Sequence, residues 1–135
     1  MNSRRRKLFT FLVMQDPNYQ LFSDSVIGEV SITVSGEIPK LEDVQKILSS
    51  LELTDVINRH PLSLSGGQKQ RLCVALAALS HAEVLFFDEP TSGLDFKNMN
   101  RVAKILKELS KKKSILVISH DNEFLHLVCT RIIAL

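Results

Sequence analysis

The stretch VLFFDEP, Val84–Pro90, sets four apolar residues directly before two acidic ones and closes with a proline. A run this short and this uniformly apolar reads as a strand covered on both faces by helices. Asp88 and Glu89 then fall on the C-terminal edge of a parallel sheet, where ligands of open α/β folds bind. Adjacent acids at a loop are also common as plain solvated surface. Their direct abutment on the strand, and Pro90 behind them, favour a fixed geometry; one carboxylate could hold Mg2+ while its neighbour positions water.

Downstream, SILVI (Ser114–Ile118) is a second run of the same kind. Between the two, Met99, Val102, Leu106 and Leu109 recur at intervals of three, four and three, one buried helical stripe. Lys111, Lys112 and Lys113 follow at its C-terminal end, where positive charge suits the helix dipole. Leu8–Met14 and Arg131–Leu135 complete four expected strands. The order strand, helix, strand, helix, strand in the second half predicts a parallel sheet with right-handed crossovers. Two further polar groups come to the same edge: His120, just past SILVI, and Gln15, just past the first strand. A lone histidine is more often structural, but a strand end beside a suspected phosphate site improves its case. In SGLD, Asp95 is placed to cap a helix starting at about Phe96.

Upstream, residues 18 to about 80 read as mostly helical, inserted between two strands. Gly28, Gly36 and Pro39 interrupt a poorly patterned segment, then Leu41, Val44, Leu48 and Leu51 take helical spacing. The last helix of this region opens at Ser65-Gly66-Gly67-Gln68. One reading is a capping box between Ser65 and Gln68. It leaves the glycines unexplained, since each costs about 0.5–1 kcal/mol in a helix relative to alanine. Two of them in a first turn make sense if something approaches the bare backbone, and a phosphate is such a group.

Bulk properties narrow the field further. The 135 residues are 44% hydrophobic and 24% charged, an ordinary globular balance for one modest core. Seventeen basic against 15 acidic residues, a formal charge of +2, give no reason to expect nucleic acid as a partner. The apolar runs fall far short of the roughly 18 residues of a membrane span. MNSRRRKLFTFLVMQD has a basic cluster before an apolar run but no small-residue cleavage site, so it reads as a strand behind a solvated turn. Cys73 and Cys129 form neither a CxxC nor a zinc spacing and read as buried hydrophobes in a reducing cytoplasm.

Together these residues resemble an ATP-binding cassette (ABC) ATPase. LSGGQ (Leu64–Gln68) matches the family signature, VLFFDE Walker B, SGLD the D-loop, His120 the switch histidine, and Gln15 in VMQDP the Q-loop. The run QDPNYQLFSDSV is similar to the energy-coupling-factor and cobalt-type importer ATPases in particular. The resemblance implies an α/β fold, the C-terminal part of a P-loop NTPase (RecA-like) core: a parallel sheet with an inserted α-helical signature subdomain. It divides the chain into core strand and Q-loop (1–17), helical subdomain (18–80) and Walker B, D-loop and H-loop core (81–135).

By the same resemblance the cofactors are ATP and Mg2+. Glu89 is the general base or water-orienting residue, His120 a γ-phosphate contact, and Asp88 an outer partner of Mg2+. Gln15 links the metal, through water, to membrane subunits. Ser65, Gly66, Gly67 and Gln68, with Asp95, belong to the nucleotide site, the signature acting on ATP held by the opposite subunit. Partners are then a second ATP-binding subunit, in a homo- or heterodimer, and transmembrane transporter subunits, with no nucleic acid. The location implied is cytoplasmic, peripheral on the inner face of the membrane.

Three small departures, Ala82, Phe96 and Leu76, touch no catalytic group. A larger one is that no run G-x-x-x-x-G-K-S/T occurs, so the Walker A loop is missing, as is the adenine-stacking aromatic. The expectation is an inactive fragment whose SILVI edge lacks its usual neighbour and self-associates, or recruits the last strand. Two other readings stand beside this one: a non-catalytic module that lends its signature to a complete subunit, and a chromosome-maintenance or DNA-repair ATPase, which shares the signature chemistry.

Overall fold

The computed structural model describes residues 10–34 and 39–135. Strand β1 (Thr10–Val13) is followed by helices α1 (Val26–Thr33), α2 (Leu41–Ser50) and α3 (Gly66–Leu79) before β2 (Val84–Asp88) returns to the sheet. Then come α4 (Phe96–Leu109), β3 (Ser114–Ile118) and α5 (Asn122–Val128). The sheet is three-stranded and parallel, in the order β1-β2-β3. Of the expected first strand, Leu8 and Phe9 lie outside the described residues, and Met14 follows the strand's end.

Register divides the sheet into two unlike faces. Val13 pairs with Phe87 and Phe87 with Val117, while one residue earlier Leu12, Phe86 and Leu116 form a row. Alternate residues point to opposite sides, so these rows face opposite ways. The first row faces the core, with Val13 0% and Phe87 1% exposed. On the other side Leu12 is 52%, Leu116 50% and Ile118 57% exposed. The expectation that β2 and β3 are covered on both faces is therefore corrected. Their uniform apolarity reflects two apolar faces, of which these helices cover one.

The core is built around α3. Residues Leu72 to Ala77 are all buried, a stretch surrounded by protein on every side. Val44 and Leu48 of α2, with Leu51 beyond its end, pack into this core, but Leu41 at the head of the expected stripe is exposed. Met99, Val102 and Leu106 bury the α4 stripe as its spacing requires, with Leu109 packed at the margin. Helix α1 was not distinguished in the sequence because Gly28 interrupts it. Ser25 nonetheless caps α1 through Gly28 N at 3.1 Å, and a Cβ at Gly28 would stand 2.0 Å from Ser23 Oγ.

The last expected strand does not form. Arg131–Leu135 has no regular secondary structure, and Ile133 is 68% exposed. β-Propensity is mostly a fit to neighbouring strands, and among the described residues no ladder reaches this segment. Nor does it fill the edge of β3, which among the described residues pairs with β2 alone. Cys73 and Cys129 are free thiols, Cys73 buried and Cys129 half-buried.

Candidate functional site

β2 delivers Asp88 to the sheet edge in register with Ile118, and Glu89 N extends the ladder by one bond to Ile118 O at 2.8 Å. Glu89 then turns sharply. Its φ of +48° is left-handed, a conformation a non-glycine residue holds only at a cost of about 1–3 kcal/mol when its surroundings enforce it. Those surroundings are the residues after β3. The Glu89 carboxylate accepts from His120 N at 3.1 Å and from Ser119 Oγ at 3.4 Å, and it contacts His120 Nδ1. The Glu89 side chain is 15% exposed against 97% for His120, so the imidazole closes over the carboxylate from the solvent side.

The turn that follows is built for tightness. Gly93 has φ +74°, and Ser92 N and Leu94 N donate to Glu89 O and Thr91 O at 3.1 and 3.0 Å. Asp95 then caps α4, its Oδ1 accepting from Asn98 N at 2.8 Å.

A second cluster surrounds the start of α3. Ser65 and Gln68 form the reciprocal capping box: Ser65 Oγ accepts from Gln68 N at 3.2 Å and Gln68 Oε1 from Ser65 N at 2.9 Å. The amides of Gly66 and Gly67 have no acceptor among the described residues. Neither glycine is demanded by the fold. A Cβ at Gly66 would meet nothing within 4 Å, and one at Gly67 would rest at 3.5 Å from Leu94 Cδ2. Both border an open cavity of about 440 Å³ whose other walls are the turn at Gln15–Asn18, Lys69 and Gln70 of α3, and Ser92–Gly93.

The sequence-designated residues thus fall into two groups. Asp88, Glu89 and His120 meet at the edge of β2 and β3, while Gln15, Gly66 and Gly67 meet at the cavity. Ser65 and Gln68 hold the tip of α3 together from behind, and the side chain of Asp95 is taken up by its cap.

Several supporting residues escape sequence reasoning. Gln20 acts as a surrogate peptide unit at the end of β1, donating from Nε2 to Leu12 O and accepting from Met14 N at 2.7 Å. Arg71, 7% exposed, ties α3 to the end of α2, donating to Gly67 O at 3.2 Å and to Leu51 O. Burial lowers its pKa, against the opposing pull of Glu52. Gln70 is 2% exposed, and its Nε2 has no partner among the described residues. Nothing in KQRL announces that two of its polar side chains go inside; only the packing of α3 reveals it.

Among the described residues no group of three or more His, Cys, Asp or Glu side chains converges as a metal cage. Mg2+ keeps several waters and takes one or two carboxylates together with substrate phosphates. Asp88 fits such a role through water, Glu89 already being engaged by His120. The bare tip of α3, with two amides and the positive end of the helix dipole, fits a phosphate oxygen.

Comparison with known proteins shows the family. The sequence profile of the ABC transporter family matches residues 3–92, and the chain belongs to that family. An ABC transporter ATP-binding protein of Treponema denticola is 43% identical over 136 residues, covering 100% of this chain and 27% of its own length. Among solved structures, CbiO1 of Clostridium perfringens, part of the ABC transporter complex CbiONQ, superposes with a TM-score of 0.71 at 33% identity. The match covers 90% of this chain and 51% of CbiO1. The dimeric bacterial ABC transporter cassette MJ0796 gives 0.72 at 26% identity, over 87% of this chain and 54% of its own. The fold is accordingly the α/β core of the P-loop NTPases, and the finer likeness to energy-coupling-factor importers has its solved counterpart in CbiO1. The chain spans between about a quarter and a half of these relatives.

Proposed function

We propose that this chain is the signature-bearing part of the ATPase of an ABC importer, coupling ATP hydrolysis to uptake of a small substrate or metal ion. The carrying observation is the tip of α3: two glycines that no neighbour requires, with amides open to a cavity. On this reading Ser65, Gly66 and Gly67, with Gln68 bracing the cap, donate to the terminal phosphate of ATP held by a second ATP-binding subunit. Asp88 holds Mg2+ through water, and Gln15 relays the state of that site to transmembrane subunits. Asp95 orients the turn at Ser92–Gly93 beside the tip.

Glu89 receives a proton from, or orients, the attacking water. Its carboxylate must first release the His120 Nδ1 contact, and the solvent-exposed imidazole has room to move to the γ-phosphate. Bound Mg2+ would supply charge neutralisation on the phosphates. Among the described residues no helix is long and apolar enough to cross a membrane, which fits a peripheral subunit held at the inner membrane face by its partners.

No phosphate-cradling G-x-x-x-x-G-K-S/T run occurs in the 135 residues, so the isolated chain should bind ATP only weakly and lack ATPase activity. Equilibrium titration with ATP and Mg2+ tests this: a low-micromolar Kd for the chain alone contradicts it. Mixing the chain with an intact cassette subunit tests the donated tip. Stimulated hydrolysis, lost in Ser65→Ala with Gly66→Val, is the expected result, and no effect on the intact subunit's rate would refute it. Within the complete ATPase, Glu89→Gln should abolish turnover while nucleotide stays bound; surviving turnover would remove Glu89 from the role of base.

A further inference from the structure

Gln70 stands one helical turn after Gly66, on the same side of α3. The side chain of a helical residue leans toward the N-terminus, so Gln70 rises toward the tip, and the residue above it has no side chain. Gln70 borders the same cavity as Gly66 and Gly67. It is 2% exposed, and its Nε2 is the one buried side-chain polar atom without a partner among the described residues. A buried donor left without an acceptor is costly, and in a folded protein it calls for an explanation. Beside it, Lys69 is not idle: its Nζ donates to Asn18 Oδ1 at 2.8 Å, which holds a cation at the cavity wall. Two open amides, a docked ammonium and an unpartnered amide NH2 are all donors, set against one carboxylate in the wall, Asp16, whose Oδ1 accepts from Asn18 N. What completes such a set is a group with several acceptor oxygens and negative charge.

We propose that Gln70 is a further phosphate-binding residue, its side-chain amide donating to the same oxyanion that the Gly66 and Gly67 amides receive. The inference rests on the reading of the α3 tip given above and extends it one turn into the helix. The oxyanion has two possible sources, the terminal phosphate of a nucleotide on a partner subunit or free inorganic phosphate.

The test is a nitrogen-15 NMR titration of the 135-residue chain in two arms, one with inorganic phosphate and one with ATP and Mg2+ carried by an intact cassette subunit. The Gln70 side-chain NH2 pair should shift along the same saturation curve as the Gly66 and Gly67 amides. A shift in both arms assigns the site to phosphate in general, and a shift in the second arm alone assigns it to nucleotide. Gln70→Leu removes the unpartnered donor, so it should leave the melting temperature unchanged or raised while weakening the anion about tenfold. Gln70→Glu, near-isosteric and negatively charged, should abolish binding. If the glycine amides shift but the Gln70 pair does not, or if Gln70→Leu titrates like the parent, Gln70 has no part in the site and the tip reading stands. If neither moves in either arm, the tip reading fails and Gln70 fails with it.

Discussion

Gly66, Gly28 and Gly93 are chemically identical and structurally unlike, and the difference is measurable. Gly66 has no neighbour within 4 Å of a built Cβ, Gly28 has Ser23 Oγ at 2.0 Å, and Gly93 sits at φ +74°. Gly66→Ala should therefore leave stability unchanged or raise it by up to about 1 kcal/mol, the alanine preference of a helix. Gly28→Ala and Gly93→Ala should each cost about 1 kcal/mol or more, through overpacking and a left-handed backbone respectively. Urea melts of the three variants decide it, and a Gly66→Ala loss as large as the other two would mean that the fold itself needs that glycine. At this scale the sequence was readable where a side chain acts on its immediate neighbours: the Ser65–Gln68 box and the Asp95 cap are both formed. It was not readable where a contact depends on distant packing. Glu89 and His120 were placed at one sheet edge, but their direct contact joins residues 31 apart, and the burial of Gln70 and Arg71 follows from what surrounds α3 rather than from its spacing.

Among the elements, α3 carries both the open tip and the deepest part of the core. Cys73 lies 1% exposed in that core, and burial, with Glu29 nearby adding to it, pushes its thiol pKa from an ordinary 9.0 up to about 12. Between those values the unfolded chain has lost the proton that the folded chain keeps. The thiol's contribution is thus fully present below about pH 9 and declines as pH rises toward 12, by up to about 1.4 kcal/mol per pH unit. Denaturant melts at pH 8, 9 and 10 should show a steeper decline for the parent than for Cys73→Ala, and equal slopes would argue against a buried neutral thiol. Helices α2 and α4 were legible from their stripes, because a surface helix must show one apolar side. Helix α1 was not, since Gly28 masks it and its cap at Ser25 is visible only once the chain has turned.

For the molecule as a whole, apolar runs revealed strands but not which faces are covered. Leu12, Leu116 and Ile118 lie on the side of the sheet opposite the core, and β3 offers an edge with no pairing strand among the described residues. Such a surface promotes association. Sedimentation of the chain over a range of concentrations should reveal self-association, and Leu116→Lys should reduce it without lowering the melting temperature. A monomer at all concentrations would refute the expectation. The failed strand at Arg131–Leu135 belongs to the same lesson, because β-branched residues specify a strand only where a ladder is available to receive them.

Gln20 has a consequence for how this protein ages. Its amide substitutes for a strand neighbour at the exit of β1, donating a hydrogen bond to Leu12 O and accepting one from Met14 N. Slow hydrolysis of that amide to a carboxylate would leave an acceptor facing the Leu12 carbonyl, a repulsion created by the loss of a single ammonia. The Gln20→Glu chain mimics the aged form. Faster hydrogen–deuterium exchange at the end of its first strand would mark this side chain as a chemical clock; exchange identical to the parent would show that the repulsion is relieved elsewhere.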